Sequence, residues 1–471
     1  MVSYLRLTCV CAGFVLANLG EVAWAESAAT DAKPQTLSPV VVIVYPDEAA
    51  PVQLAAQDLA RYLGELLDTS VPLIQDFDSR SGLTRSILLA TPASQSDVPP
   101  TLAPVLSRSE LEPLGNDGCR AVCQGSVLVL AGLMSRGAAN AVWTYLEEFC
   151  HVGFFWDTDH VGRLSDLPFE TVSFRHVPRF AERYCSPPGG YTLAEHMDWC
   201  DWRREIDWRV HKRQNLLWGP GGELVWKQVF AELAGQVYTP TETDREQDDL
   251  YHKMANYARD RGLTTIMPGF LGEVPAEFVP PYPEASPGES PEEKHSIKLD
   301  FAAAVQRARD EVCPDMIWLA DSWAFLTADF WPLAEVKAFC DAIADPDRFR
   351  IYDTWGEERP MWTLHNAYWG KNWTFGVLQC FGGNTTLHGD LCALVRDVQR
   401  VATDPRAGNC VGLYLVPEVL HHNDLYFDLA MRLAWYPSSV TCDGSRRPAT
   451  SCLSGKGAPT WTTPGAMTWR S

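Results

Sequence analysis

The stretch GLYLVPEVLHHNDLYFDL (residues 412–429) holds one complete strand–turn–helix step. Gly412 to Val416 is a mostly apolar run of strand length. Pro417 ends it, because proline has a fixed φ and no N–H to give to a ladder. A helix then begins near Asp424. Glu418 is therefore expected at the C-terminal lip of a strand, either as a solvated loop acid or as a carboxylate aimed into a site. What the neighbouring segments form decides between the two.

The same step recurs upstream. RQNLLWG precedes the helical ELVWKQVFAEL, and a helix with Tyr251, Met254, Ala255 and Ala258 on one face precedes LTTIMPG. The helix IKLDFAAAVQRARDEV precedes MIWLADSW, and RFRIYDTW, TFGVLQCFGG and VGLYLVPE continue the series. Strands alternating with helices from Pro178 onward predict a parallel sheet, and this many units predict a (β/α)8-type barrel. Such barrels place function on the loops that follow the C-terminal strand ends. Those positions hold Trp218, Pro268-Gly269, Asp321-Ser322-Trp323, Asp353-Thr354-Trp355, Phe381-Gly382-Gly383-Asn384 and Glu418. Aromatics, glycines and acids are the mix that holds a sugar by stacking and hydrogen bonding, which favours a site role for Glu418.

In front of this series, VVVIVYP (residues 40–46), SVPLI, SILLAT and SVLVLAG read as short strands. APVQLAAQDLARYLGELL places Ala55, Leu59, Tyr62, Leu63 and Leu66 on one helical face, and SRGAANAVWTYLEEFC is a second amphipathic helix. The expected organisation is a leader at 1–25, a small N-terminal α/β domain at 26–175, the barrel at 176–440 and an irregular tail at 441–471. The front unit has no glycine-rich phosphate loop, so nucleotide binding finds little support.

Composition narrows the function classes. The 471 residues are 46% hydrophobic and 21% charged, as in an ordinary globular protein. A net charge of -21 argues against nucleic acid and against an anionic membrane surface as partners, and is neutral toward an uncharged sugar. Eighteen tryptophans and 33 prolines fit a carbohydrate-active enzyme, although large cores also use them. Arg6, the apolar run Leu7–Leu19 and Ala23-Trp24-Ala25 have the pattern of a secretory signal peptide. The expected location is therefore secreted, periplasmic or lysosomal, with no integral membrane segment after leader cleavage. Cys119 with Cys123, or Cys442 with Cys452, are the nearest candidates for disulfides. No histidine or cysteine spacing resembles a metal site, so neither metal nor cofactor is expected. Asn372 and Asn384 head glycosylation sequons.

Three stretches carry a family resemblance. DWCDWRREIDWRVHKRQNLLWGPGGELVWKQVF, LQCFGGNTTLHGD and LYLVPEVLHHND resemble the alpha-N-acetylglucosaminidase family of glycoside hydrolases, and PGFLGEVP, DSWAF and YDTWGEERP follow in matching order. The resemblance covers roughly residues 40 to 436. It implies an exo-acting retaining enzyme with two glutamates, one nucleophile and one acid/base, which releases terminal alpha-linked N-acetylglucosamine from a glycan. The family's nucleophile motif matches Pro417-Glu418, with Val419 where the family has glycine. By the same matching, Cys185, Glu223, Trp323, Asp353 and Asn384 fall where the family lines its sugar pocket, and Glu357 matches an acidic position after a strand.

The chain also departs from the pattern. The family's acid/base lies in an Asn-Glu pair after the fourth barrel strand, and no such pair occurs here. Residues 280–296, PPYPEASPGESPEEKHS, run almost directly into the next helix. The expected barrel is therefore incomplete or distorted, since strand number and shear are linked. An incomplete reading frame, a homologue that binds glycan without turnover, and an altered site would each account for this. In the third case the proton donor is Asp321, Glu357 or an acid from residues 284–293. Gln379-Cys380 replaces the family's His-Asn, which touches the same pocket wall.

Overall fold

The computed structural model describes residues 40–80, 85–186, 196–219, 223–266, 290–380, 389–417 and 423–440. The first elements are β1 (Val40–Ile43), α1 (Ala50–Leu67), β2 (Leu73–Ile74) and β3 (Arg85–Ala90), followed by a short α2 (Arg108–Leu111). Then come β4 (Cys119–Gln124), β5 (Val127–Gly132), α3 (Ser135–Thr144), the small pair β6 (Gly153–Phe154) and β7 (Asp159–His160), and β8 (Ser173–His176). Six of these strands form one sheet in the order β2-β1-β3-β5-β4-β8. The first four run parallel, whereas β4 lies antiparallel to both β5 and β8. The inner strands β1 and β5 are buried throughout, which is why they read as unbroken apolar runs. α1 buries Val52, Ala55, Leu59, Tyr62, Leu63 and Leu66, as its 3.6-residue pattern predicts.

The expected Cys119–Cys123 bridge is absent: both thiols are free. The two residues stand four apart on β4. An extended strand separates such positions by about 13 Å, far beyond the ~7 Å Cα limit for a disulfide. The Cys442–Cys452 pair and the leader lie outside the described residues.

The second half contains β9 (Glu182–Cys185), α4 (Trp199–His211), β10 (Leu216–Trp218), α5 (Glu223–Leu233), α6 (Glu242–Asp260) and β11 (Thr264–Ile266). It continues with α7 (Pro291–Val312), β12 (Trp318–Asp321), α8 (Leu333–Asp341), β13 (Phe349–Asp353), a short α9 (Met361–Leu364) and β14 (Trp373–Cys380). It ends with α10 (Leu391–Thr403), β15 (Cys410–Pro417) and α11 (Asp424–Trp435). Five strands pair in parallel in the order β12-β13-β14-β15-β9, and β10 pairs in parallel with β11. Asn215 joins the two groups. Its N–H donates to the Arg183 carbonyl at 3.0 Å, its Oδ1 accepts from Arg183 N at 2.9 Å, and its carbonyl accepts from Thr264 N at 3.0 Å.

Seven strands thus run round from β12 to β11, and among the described residues none pairs β11 with β12. This is a mixed α/β fold with the parallel strands and helices of a (β/α)8-type barrel, and no closed barrel is seen among the described residues. Every residue of β12 is only partly buried. No helix among the described residues is long and apolar enough to cross a membrane.

The D-W-x-x-W string folds as α4. Asp198 caps it by accepting from Cys200 N and Asp201 N, and Asp201 completes the capping box. Its wholly buried Glu205 and Arg209 pair at 2.7 Å. Arg209 also donates to the Cys185 carbonyl at 2.7 Å and the Ser186 carbonyl at 2.9 Å, which ties down the C-terminal end of β9. Trp156 Nε1 donates to Glu205 from the front segment at 2.5 Å. A second junction centres on buried Asp117, which accepts from Arg183, Arg136 and Asn215 at 2.5, 2.5 and 2.7 Å. The motif's charged residues are therefore engaged in bracing the barrel against the front sheet.

Candidate active site

Side chains alternate across each strand, so the phase of each strand decides what reaches the barrel interior. Tyr184, Ile266 and Tyr414 form an inner cluster, with Leu216, Trp218, Leu319, Tyr352 and Val416 packed against it. Trp218 stacks on Tyr414 with ring centres 5.7 Å apart, and the Tyr352 ring stands 5.5 Å from Tyr414 and 5.4 Å from Trp218. Tyr184 lies 4.7 Å from Tyr414, and its hydroxyl is 3.1 Å from Thr374 Oγ1. The barrel therefore has a floor of aromatic rings.

Asp321 stands above that floor. Leu319 points inward, and Asp321, two residues on at the end of β12, shares its face. The Trp323 amide donates to Asp321 Oδ1 at 2.8 Å, and the Thr354 hydroxyl donates to the same oxygen. Burial raises its pKa from the ordinary carboxylate value to about 6, against the opposing pull of hydrogen bonds from Thr354, Trp323 and Tyr352. Trp323 is 42% exposed on the lip, and its ring centre is 5.9 Å from that of half-buried Trp355. The mouth thus offers an acid that is largely protonated below pH 6, between a floor of phenols and a rim of two indoles.

The other expected site residues separate into three groups. Glu418 and Asn384 lie outside the described residues, as does the side chain of Glu223, which opens α5. Cys185 is wholly buried in the outer layer between strands and helices. Its Sγ accepts from Gln214 Nε2 at 3.3 Å, and burial pushes the thiol up to about 12. Asp353 has no exposed surface, accepts from Trp362 N at 2.8 Å and Ser322 Oγ at 3.3 Å, and caps α9 from behind the strand. Burial raises its pKa to about 7. Neither residue shares the inner face with Asp321. Glu357 is a third raised acid: burial pushes it to about 8, against the opposing pull of backbone N–H groups at Glu357 and Leu378. The groups that bear on it include Asp353 and Tyr426, which belong to the outer layer.

Tyr184, Tyr352 and Tyr414 were not singled out from the sequence. The available signal was the period of two along ERYC, FRIYD and VGLYLV, whose single tyrosines fall on one face. Among the described residues no group of three or more His, Cys, Asp and Glu side chains is arranged to hold a metal.

Comparison with known proteins follows the same lines. Residues 282–437 match the family model described as the alpha-N-acetylglucosaminidase tim-barrel domain. The chain is 22% identical to human alpha-N-acetylglucosaminidase over 395 residues, covering 66% of this chain and 52% of that protein. Among solved structures it resembles a family 89 glycoside hydrolase from Clostridium perfringens bound to its substrate GlcNAc-alpha-1,4-galactose. That match has a TM-score of 0.60 at 14% identity, over 83% of this chain and 49% of the other. The same enzyme bound to 2-acetamido-1,2-dideoxynojirmycin gives the same values. At such identity the likeness speaks for the fold. The chain spans about half the length of these relatives. Its residues 282–437 are similar to the tim-barrel domain of alpha-N-acetylglucosaminidase.

Proposed function

We propose that the chain is an exo-acting retaining glycoside hydrolase that releases terminal alpha-linked N-acetylglucosamine, with Glu418 as nucleophile. The observation that carries this reading is the barrel mouth, where an acid at a strand end stands over an aromatic floor beside two rim tryptophans. Stacked rings suit the apolar face of a pyranose, and a carboxyl group suits its glycosidic oxygen. Strand phase supports the role of Glu418. Val416 of β15 and Leu319 of β12 pack on one inner cluster, and each stands two residues before a carboxylic acid, Glu418 and Asp321. The similarity to human alpha-N-acetylglucosaminidase supports the substrate class. The leader motif supports export, and the proposed domains remain 26–175 and 176–440.

The test is hydrolysis of an aryl alpha-N-acetylglucosaminide by the purified chain and by its Glu418→Ala variant. Turnover is expected from the first and not from the second, and a fully active variant would remove Glu418 from the mechanism. The lack of a pairing between β11 and β12 among the described residues favours a second reading, a barrel that binds glycan without turnover. Calorimetric binding of an N-acetylglucosamine-terminated glycan, with no hydrolysis, would select it.

A further inference from the structure

We infer that Asp321 is the proton donor of this site, an assignment that rests on the proposed hydrolase activity. Asp321, Asp353 and Glu357 lie at or just after the ends of β12 and β13 with titration raised by burial, and geometry separates them. Asp353 spends its oxygens on Trp362 N and Ser322 Oγ in the outer layer. Glu357 is associated with Asp353 and Tyr426 on that same side. Asp321 alone of the three bears on the inner phenols Tyr184, Tyr352 and Tyr414.

Its hydrogen bonds orient it for the task. The Trp323 amide and the Thr354 hydroxyl both donate to Oδ1, which favours Oδ2 as the protonated oxygen, and the Tyr352 side chain also hydrogen-bonds the carboxyl group. Trp323 N–H and Asp321 are also the N-cap pair of the short turn Ser322–Leu326, which fixes the carboxyl plane at the lip. The titratable groups facing Asp321 from β9, β13 and β15 are phenols, which stay neutral across the working range. Among the described residues no ammonium or guanidinium contributes to its shift.

The chemistry balances. Asp321 Oδ2 gives its proton to the glycosidic oxygen as the C1–O bond breaks and its electron pair goes to the leaving alcohol. The nucleophilic carboxylate bonds to C1. Water then attacks C1 and passes a proton to the Asp321 carboxylate, and the electron pair of the ester bond returns to the nucleophile.

The experiment compares the full chain with Asp321→Asn, Thr354→Val and Glu418→Ala on a disaccharide and on a dinitrophenyl alpha-N-acetylglucosaminide. Melting temperatures establish that each variant is folded. Asp321→Asn is expected to lose about 10²–10⁴-fold of turnover on the disaccharide, to keep the burst of dinitrophenol release, and to yield an alpha-glycosyl azide when azide is added. Thr354→Val removes a donor that stabilises the charged form, so the alkaline limb of the pH profile should move to higher pH. Disaccharide turnover unchanged in Asp321→Asn, or an alkaline limb that ignores Thr354→Val, overturns the assignment of Asp321 while an inactive Glu418→Ala leaves the hydrolase reading standing. Absence of turnover in the unmodified chain overturns both.

Discussion

Replacing Arg209 with methionine tests whether α4 braces the site. The side chain has no exposed surface and makes three sets of bonds, to Glu205 at 2.7 Å, the Cys185 carbonyl at 2.7 Å and the Ser186 carbonyl at 2.9 Å. Methionine fills much of the volume and satisfies none of them. Stranding one partner of a buried ion pair costs about 3–5 kcal/mol, and each carbonyl left without a donor adds about 1–3 kcal/mol. Arg209→Met should therefore destabilise the chain by at least about 4 kcal/mol. In the double variant Glu205→Gln/Arg209→Met no uncompensated charge remains, and Trp156 Nε1 keeps an acceptor. It should be about 1–3 kcal/mol more stable than the single variant. Urea unfolding followed by tryptophan fluorescence reads all three proteins. A single variant that costs under about 1 kcal/mol, or a double variant less stable than the single one, would refute the brace.

The remaining expectations concern one buried charge, one close approach and the two acids of the mouth. Asp117 is pushed up by burial but held below its ordinary value by the stronger pull of Arg183 and Arg136. Its contribution to stability is therefore present above the unfolded carboxylate pKa of about 3.9 and lost as pH falls through the lowered folded value. In melting curves across pH, Asp117→Asn should be much less stable than the unmodified chain at pH 7, and the difference should shrink as pH falls below about 3.9. At Gly376 a Cβ would overlap the Asp353 carbonyl oxygen and lie 2.8 Å from Thr354 Cα. Backbone cannot yield cheaply there, so Gly376→Ala should cost about 1–3 kcal/mol, read as a lower urea midpoint. Turnover by the unmodified chain should fall as pH rises through about 6, because the donor form of Asp321 is the protonated one. Glu418→Ala should abolish turnover at every pH.

Much of the secondary structure was legible because its signals are local. The alternation of apolar strands with amphipathic helices announced the parallel α/β architecture, while the segment expected to lack a βα step lies outside the described residues. The readings that failed or stayed silent depend on partners distant in sequence. β4 and β8 have mixed burial patterns, and only pairing reveals them as strands at the antiparallel side of the front sheet. β9 escaped notice because ERYC is short and carries two charged residues, Glu182 and Arg183. Their partners, Arg350 and Asp117, arrive from 168 and 66 residues away.

The sequence by itself determined the order of βα steps and the apolar face of the helix at Ala50–Leu67. Periodicity is a property of neighbouring residues, so it needs no fold to be expressed. Only the tertiary structure decided which side of each strand looks into the barrel. A shift of one residue turns a side chain to the opposite face. Cys185 and Asp353 sit at the ends of barrel strands yet face the helices, while Asp321 and the tyrosines of β9, β13 and β15 meet in the interior. That phase is set by parallel pairing with neighbouring strands, whose hydrogen bonds no local pattern encodes.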